Sequence, residues 1–549
     1  MSGQITESDI AAAERLLGLA YTAQERAQMV ANLEGQRDLA IARRRVTLDN
    51  ASPTATRFDP RLPGFAMPHG MDALHLTPLN ASLPNDPEDI AFAPLTHLSH
   101  WLRTGQITSR ALTELYLDRI AVLNPKLECF ATVTADLARA EADAMDSLLG
   151  AGVWLGPLHG IPYGLKDLFD TKGITTGWGA EPYQTRVPGA DAAVTTKLRA
   201  AGAVLLGKTT LGALAYNDLW YGGWTRNPWN LNEGSSGSSA GSASATAAGL
   251  CGFSIGTETL GSITSPSQRC GTTGLRPTFG RVSRAGGMAL CWSLDKVGPI
   301  CRGVEDTALV LAAINGGDAR DRGSIAAPFH FDAQAGIDGM TLGYLPAAFE
   351  EGATDVDRAA LAAARDLGIT VKEVTLEDLP YAALMTILYA EAAAAFEDLT
   401  LTDADDTLRW QDEGAWPNTM RKARFLSAVD HVQTDRLRYR VMQSLGDMMG
   451  QVDALIGPFQ TGPMLIASNF TGHPCLHLRA GFSEVATRSP ASLGSGKLTT
   501  GEAKGDATFT VPQGISLWGQ LFDEGPLLNL GMAMEAKLDV AARRPTFPT

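Results

Sequence analysis

The sequence lacks the cysteine and histidine patterns that mark zinc and redox sites. Its six cysteines include no Cys-x-x-Cys pair, so zinc-ribbon and thioredoxin-type functions find no support. His473 and His477 are four residues apart, but Pro474 between them breaks the helix that a His-x-x-x-His zinc site needs. These patterns weaken a zinc or redox function, and we expect the cysteines to be small buried residues in a reducing cytoplasm. The cysteines are Cys129, Cys251, Cys270, Cys291, Cys301 and Cys475.

The sequence also lacks an excess of positive charge and any long apolar run. Its 60 acidic residues outnumber its 45 Lys and Arg residues, and the net charge of −15 argues against a nucleic-acid partner. No apolar run approaches the roughly 20 residues that a membrane span needs. The N-terminal MSGQITESDIAAAERLLG is acidic and amphipathic, unlike a signal peptide. We expect a cytoplasmic monomer or homodimer that acts on a small molecule, with no nucleic-acid or membrane partner.

The composition divides the chain into an N-terminal extension and a larger domain. Residues 5–46 have the pattern of two helices, the second opened by a capping box at Thr22. Residues 51–88 contain seven prolines, which is typical of a wrapping arm or a linker. We therefore predict a helical extension with a Pro-rich arm over 1–88 and a catalytic domain over 89–545.

The larger domain has the pattern of an α/β protein. Between residues 130 and 315, short apolar strands alternate with helices and glycine-rich turns. Residues 380–445 have a largely helical pattern. Residues 484–509 are polar and rich in Ser and Gly, which predicts a surface insertion before a final strand and helix.

The stretch AGAVLLGKTTL, residues 201–211, matches the nucleotide-binding pattern G-x-x-x-x-G-K-T. A phosphate loop follows a strand and opens a helix, whereas here a helical pattern precedes Gly202 and an apolar strand follows it. The reversed order indicates a helix-to-strand turn, with Lys208 and Thr209 at the carboxyl end of the strand. An ATPase or GTPase is therefore the least favoured function.

A second stretch, NEGSSGSSAGSASATAAG at residues 232–249, has the composition of a flexible linker. Its tail suits a closely packed helix, however, and the strand-like CGFSIGTETLGSI follows at once. Because core elements flank the stretch, its small residues indicate a place where the backbone approaches another group closely.

Two segments together resemble the amidase signature serine hydrolases. One is GSSAGSASATAAGLCGFSIGTETLGSITSPSQRCGTTGLRPTFGRVSR, and the other is GPLHGIPYGLKDLFDTKGITTGWG at residues 156–179, which resembles the lysine segment of that family. The G-K-T stretch also resembles a strand and turn of the family, and the resemblance extends over residues 90–540. It implies the amidase signature fold, an α/β fold with a large mixed, mostly parallel β-sheet that α-helices cover on both faces.

The resemblance implies a Ser–Ser–Lys triad. Ser262 matches the nucleophile, Lys166 matches the base, and Ser238 matches the bridging serine, which in the family follows a cis peptide bond, here Gly237–Ser238. A serine hydroxyl needs a base to take its proton, and a lysine can be that base only if burial holds it neutral. We also assign a supporting role to Ser239, which could hydrogen-bond the lysine.

Structural roles remain open for these residues. Lys166 could instead form an ion pair with Asp167 or Asp170, and Ser238 and Ser262 could be turn or N-cap residues.

The resemblance also implies an oxyanion hole built from backbone N–H groups. These groups belong to Thr259, Leu260, Gly261 and Ser262. The chain departs from the usual pattern here, because Glu258, Leu260 and Thr264 stand where the family commonly has Asp, Gly and Arg. A leucine adopts positive φ less readily than glycine. The absent arginine weakens any inference of a small acidic substrate.

The stretch YNDLWYGGWTRNPW, residues 216–229, contains five aromatic residues. We predict that Tyr216 and Trp220, together with Trp178, line an apolar substrate pocket, although a core role is the simpler explanation. The helical region 380–430 is expected to cover this pocket.

We therefore predict a serine hydrolase that cleaves the C–N bond of an amide or carbamate through an acyl-enzyme on Ser262, with a small apolar or aromatic substrate and with no metal or organic cofactor. One alternative is a glutamine-dependent amidotransferase-type subunit, which would need a partner to receive ammonia. The N-terminal extension and the absent arginine argue against it. Another alternative is a catalytically silent, amidase-like interaction protein, against which the intact triad argues.

Overall fold

The computed structural model describes residues 4–350, 352–459, 461–488 and 507–547. Helices pack on both faces of a central sheet of eleven strands. In chain order the α-helices are α1 (Glu7–Leu17), α2 (Ala23–Arg44), α3 (Pro87–Ala91), α4 (Leu95–Arg103), α5 (Ser109–Leu127), α6 (Ala135–Gly150), α7 (Ala193–Ala200), α8 (Ala240–Ala247), α9 (Thr264–Cys270), α10 (Val304–Ile314), α11 (Pro346–Glu350), α12 (Asp355–Arg365), α13 (Met385–Ala395), α14 (Glu397–Leu401), α15 (Trp416–Ala423), α16 (Ala428–Met449), α17 (Met464–Thr471) and α18 (Glu524–Leu538).

The strands include the eleven of the central sheet and six that form small two-stranded sheets. They are β1 (Ala73–His75), β2 (Phe130–Val133), β3 (Pro162–Lys166), β4 (Val204–Thr209), β5 (Leu219–Trp220), β6 (Gly223–Trp224), β7 (Arg226–Asn227), β8 (Asn230–Gly234), β9 (Phe253–Glu258), β10 (Thr273–Arg276), β11 (Lys296–Cys301), β12 (His330–Asp332), β13 (Thr341–Tyr344), β14 (Thr370–Glu373), β15 (Ala454–Pro458), β16 (Cys475–Ala486) and β17 (Thr508–Gly519).

The central sheet is mixed and has the strand order β14-β13-β15-β17-β16-β10-β11-β9-β3-β4-β2. Parallel pairs form two blocks, β14-β13-β15 and β9-β3-β4. The helices α12 and α7 supply the crossovers that join β13 to β14 and β3 to β4. The other six neighbouring pairs are antiparallel, because strands such as β17 and β10 run opposite to both of their neighbours. The predicted α/β class with a large mixed sheet is confirmed, and its parallel pairing is concentrated in these two blocks.

The G-K-T stretch forms the predicted helix-to-strand turn. Helix α7 ends just before Gly202, which has φ +79°, and β4 is buried along its whole length. The Nζ atom of Lys208 donates to the carbonyl of Phe169 at 2.7 Å and to Oγ1 of Thr176 at 2.8 Å, and it lies 3.3 Å from Oδ1 of Asp167. These contacts occupy the lysine inside the core, so it is not placed to bind a nucleotide phosphate.

The N-terminal residues wrap against the rest of the chain. The capping box at Thr22 is present, as predicted. Helix α2 reaches α14 through an ion pair of Arg43 with Glu397, and β1 extends β12 by parallel pairing. In the arm, the ring of Phe65 lies 6.2 Å from that of Phe522. The predicted boundary between 1–88 and 89–545 remains a proposal.

The cysteines are buried, as the sequence predicts, and the histidines His473 and His477 are buried with them. All six cysteines are buried free thiols. Burial lowers the pKa of His473 and of His477 to about 3, and their rings hydrogen-bond to the hydroxyl groups of Thr471 and Ser516. Within the ranges given above, no cluster of His, Cys, Asp and Glu side chains could hold a metal ion. In the same ranges, no helix has both the length and the apolar character needed to cross a membrane.

The predicted insertion over 484–509 is too wide at both ends, because residues 484–486 belong to β16 and residues 508–509 belong to β17. These strands pair antiparallel, and their pairing extends outward to Ala486 and Thr508. Residues 489–506, the main part of the predicted insertion, lie outside the described residues.

Candidate active site

Lys166 ends β3, a strand whose five residues are all buried. β3 lies between β9 and β4, and Lys166 pairs with Thr209 on β4. The carboxyl ends of parallel strands are where α/β sheets commonly place ligands. The fold thus positions the amine of Lys166 at this edge while leaving the residue without exposed surface.

Three hydroxyl groups surround the Nζ atom of Lys166. Nζ lies 2.9 Å from Oγ of Ser238, 2.9 Å from Oγ of Ser239 and 2.8 Å from Oγ1 of Thr257. The hydroxyl of Ser239 donates its proton to the carbonyl of Thr257, 3.1 Å away, so its oxygen can only accept from Lys166. A neutral lysine can donate to Ser239 and Thr257 and still present its lone pair to the hydroxyl of Ser238. This geometry suits transfer of a proton from Ser238 to Lys166.

The surroundings of Lys166 favour its neutral form. Burial lowers its pKa well below the ordinary lysine value, and the charges of Asp295 and Glu258 only partly oppose this shift. The two carboxylates considered as alternative partners are engaged elsewhere, because Asp167 faces Lys208 and Asp170 binds Arg186. The geometry therefore does not support an ion-pair role for Lys166.

Ser238 lies just before α8, in the stretch that composition alone would make a linker. The peptide bond between Gly237 and Ser238 is cis, as the family resemblance predicts. A Cβ atom at Gly237 would lie 1.8 Å from the carbonyl oxygen of Asn217, so only glycine fits there. All residues of α8 are buried, and the helix packs against β9 and β3. The predicted close approach of the backbone is confirmed.

Ser262 lies in the loop between β9 and α9 and is only 9% exposed. Its carbonyl oxygen accepts a hydrogen bond of 3.1 Å from the N–H of Ser239, which ties this loop to the segment that contains Ser238. Gly261 has φ +88°, whereas Leu260 lies outside the left-handed region. Leucine adopts positive φ less readily than the glycine common in the family, but position 260 does not require positive φ. Leu260 therefore introduces no backbone strain.

The backbone of this loop offers donors for an oxyanion. Within the described residues, none of the N–H groups of residues 259–262 donates a hydrogen bond to another residue. An oxyanion hole requires N–H donors held in place and available to developing negative charge. These N–H groups are thus available to bind an oxyanion, and their role in the oxyanion hole stays a prediction.

Glu258 anchors the loop that contains Ser262. One carboxylate oxygen, Oε2, accepts from the N–H groups of Ile263 and Thr264 at 2.9 and 3.0 Å, and Oε1 binds Arg276 at 2.7 Å and Asn469 at 3.0 Å. Burial opposes ionisation of Glu258, but Arg276 and Thr264 outweigh it and lower the pKa of the carboxyl to about 2. From the sequence, Glu258 was identified only as a departure from the family pattern, and its anchoring role was missed. Its partners, on β10 and α17, lie too far along the chain for a local pattern to reveal them.

Replacing Glu258 by Gln should destabilise the protein strongly. The variant leaves the fully buried guanidinium of Arg276 without a counter-charge, and breaking a buried ion pair in this way costs about 3–5 kcal/mol. Chemical denaturation should show this loss in the free energy of unfolding. Asp355→Asn, at an exposed ion pair with Arg358, is the matched control and should change it by about 0.5 kcal/mol or less. A Glu258→Gln variant as stable as the control would contradict the anchoring role.

Replacing Ser239 by Ala should lower activity and move its pH dependence. The variant removes an acceptor that stabilises protonated Lys166, so the pKa of the lysine should fall and the acidic limb of the rate profile should move to lower pH. Loss of one buried hydrogen bond should reduce kcat about tenfold. Ser244→Ala, which removes the bond of another buried serine to the carbonyl of Arg226, is the control. An unmoved acidic limb would assign Ser239 a purely structural role.

The three aromatic residues predicted to bind substrate pack among other aromatic side chains. The ring of Trp178 lies 4.5 Å from that of Tyr183, and Trp220 lies 4.9 Å from Tyr221. Tyr216 lies 5.1 Å from the rings of both Trp410 and Trp416. These contacts fit the core explanation, and substrate binding by the three residues stays a prediction.

A cavity of about 590 Å³ adjoins the site. Thr257 and Thr259 form part of its wall. Thr257 contacts Lys166, and Thr259 is one of the residues predicted to form the oxyanion hole. Ser238, Ser262 and the three predicted aromatic residues are not in this wall. Apolar parts of the lining include Leu168, Phe169, Met288, Leu290, Ile387 and Met442.

The mixed sheet covered by helices on both faces is the α/β fold of the amidase signature enzymes. The family model described as Amidase matches residues 111–528, and the chain belongs to this family.

Named relatives of the chain include both amidotransferase subunits and amide-cleaving enzymes. It is 34% identical over 482 residues to a glutamyl-tRNA(Gln) amidotransferase subunit of Roseiflexus sp. (strain RS-1), covering 81% of this chain and 96% of that protein. The structure of native peptide amidase from Stenotrophomonas maltophilia matches with a TM-score of 0.70 and 28% identity, covering 83% of this chain and 99% of that one. A chain from the vestigial complex linked to an s-triazine catabolic enzyme matches with a TM-score of 0.71 and 27% identity, covering 83% and 100%.

Proposed function

We propose that this protein cleaves the C–N bond of an amide through an acyl-enzyme on Ser262. The observation that carries the proposal is the contact of a buried Lys166, whose pKa is lowered, with the hydroxyl of Ser238. A catalytically silent relative would have no need to keep a lysine in this costly state.

The proposed reaction uses the two serines and the lysine in sequence. Neutral Lys166 takes the proton of Ser238, which takes the proton of Ser262 as the Oγ atom of Ser262 attacks the substrate carbonyl. The N–H groups of residues 259–262 stabilise the oxyanion. Ser238 then delivers a proton to the leaving nitrogen, and the C–N bond breaks to leave an ester on Ser262. Water attacks this ester by the same proton path and releases the acid.

The sequence relatives favour glutamine as the amide substrate. The amidotransferase subunits match along most of both chains, which supports the amidotransferase-type alternative more strongly than the free hydrolase. In that function the chain would release ammonia from glutamine and would need a protein partner to pass it to an acceptor.

The cavity supports a free hydrolase as the second candidate. Its volume of about 590 Å³ lies in the range of pockets that hold drug-sized ligands, and its wall combines apolar side chains with charged ones such as Arg284, Asp295 and Lys296. The likeness to peptide amidase is consistent with this candidate. Its substrates would be larger apolar or aromatic amides or carbamates, and it would act without a partner.

One panel separates the two candidates. The purified chain is incubated with glutamine, C-terminal peptide amides, aryl amides, aliphatic amides and aryl carbamates, and release of ammonia or amine is measured. Ammonia from glutamine alone would assign the amidotransferase-type function, and release from the other amides would assign the hydrolase. If neither the chain alone nor the chain purified from its native cells with bound partners cleaves any substrate, the proposed function is wrong.

A further inference from the structure

One wall of the cavity comes from the N-terminal arm. The arm loop (residues 50–61) contributes Asn50, Phe58, Asp59 and Arg61 to the lining. The match to the family model begins only at residue 111, so this wall is built by a part of the chain outside the matched region. The helices α13 and α16 contribute Ile387 and Met442 to the same lining.

Asn50 fixes the start of the arm loop to the loop beneath it. Its side-chain amide donates to the carbonyl of Ala289 at 2.8 Å and accepts from the N–H of the same residue at 2.8 Å. The amide also donates to the carbonyl of Ala395, the last residue of α13, at 3.2 Å. One side chain thus joins two other walls of the cavity.

Phe58 fixes the far end of the arm loop. Its ring lies 3.4 Å from the guanidinium carbon of Arg438 and 5.0 Å from the ring of Phe279. Arg438 is itself held by the carbonyls of Phe470 and Ser293 at 2.6 and 2.8 Å. A cation held over an aromatic face and shielded from water adds to the attraction between them. The arm loop is therefore attached at both ends, as a rigid wall requires.

We propose that the arm loop is a specificity element that limits the length of the acyl group the site accepts. This inference rests on the proposed acyl transfer to Ser262. The cavity extends from Thr257 and Thr259, beside the reacting groups, to Asn50 and Phe58 of the arm loop. As an acyl chain in the cavity lengthens from the reacting groups toward the arm loop, it would meet the ring of Phe58, and we infer that longer chains are rejected by contact with this fixed ring.

Alkyl phosphonofluoridates test the inference independently of the natural substrate. In the labelling reaction the Oγ atom of Ser262 bonds to phosphorus, the phosphorus–fluorine bond breaks, and the hydroxyl proton passes through Ser238 to Lys166 as fluoride leaves. The probes have a methyl or a dodecyl chain, and the ratio of their labelling rates is measured for wild type, Phe58→Ala and Asn50→Ala. Met71→Ala, at an arm residue that is 84% exposed, is the control. Thermal unfolding verifies that each variant is folded.

Phe58→Ala should raise the ratio of the dodecyl to the methyl labelling rate about tenfold. Asn50→Ala, which loosens the arm loop, should also raise this ratio. The control should keep the wild-type ratio. Folded variants that label at Ser262 with an unchanged ratio would overturn the length-limiting role while leaving the proposed function intact. If wild type is not labelled at Ser262 by either probe, both the function and this inference fail.

Discussion

Ser262→Ala should abolish amide cleavage while leaving the fold intact. Loss of a serine nucleophile lowers kcat by about four to six orders of magnitude, because the remaining members of the triad cannot act without it. The loop should keep its place, since the backbone carbonyl of Ser262, not its side chain, accepts the bond from Ser239. Amine or ammonia release and thermal unfolding, measured on the same samples, separate lost chemistry from lost structure.

The matched control for this variant is Ser265→Ala. Ser265 lies three residues further along and its hydroxyl bonds to that of Ser236 at 2.7 Å. Removing this hydroxyl should change kcat by about tenfold or less, as expected for one hydrogen bond. Equal activity in Ser262→Ala and wild type would show that another group is the nucleophile.

Lys166→Ala should reduce kcat/KM by about two to four orders of magnitude, the usual contribution of a general base. Lys166→Arg distinguishes a base from a structural cation. Arginine keeps the positive charge but cannot be deprotonated in a protein, so the variant should be as inactive as Lys166→Ala. Lys172→Ala, at an exposed lysine six residues away, should keep full activity. Substantial activity in a folded Lys166→Arg variant would exclude the lysine as base.

The pH dependence of the wild type follows from the same lysine. Lys166 must be neutral to accept a proton, so kcat/KM should fall as pH decreases through its pKa. Because burial lowers that pKa, the acidic limb should lie well below the ordinary lysine range, and the enzyme should be active near neutral pH. A rate that keeps rising up to the ordinary lysine pKa would show that Lys166 is not desolvated.

The parts of the site that were predictable from sequence lie in short, continuous motifs. Gly237, Ser238 and Ser239 are consecutive, and Lys166 lies within the continuous segment 156–179 that resembles the family's lysine segment. The order of helix and strand around Gly202 argued against a phosphate loop, and this order was predictable because periodicity and capping are local signals.

The parts that were not predictable depend on contacts between distant segments. Glu258 is held by Arg276 and Asn469, the second of which is 211 positions away. Asn50 reaches Ala289 across 239 positions. No local pattern in one sequence encodes such pairs. The same limit applies to the aromatic residues, since composition gave their apolar character but not whether they face a pocket or one another.

Capture of the acyl-enzyme tests the central claim most directly. The enzyme is mixed with its best amide substrate, quenched in acid during turnover and digested, and the peptides are analysed by mass spectrometry. We expect the mass of the acyl group on the peptide that contains Ser262, at Ser262 itself, and no such adduct in Ser262→Ala. Turnover with the acyl group on a different residue, or with no acyl-enzyme even when deacylation is slowed at low temperature, would contradict the account.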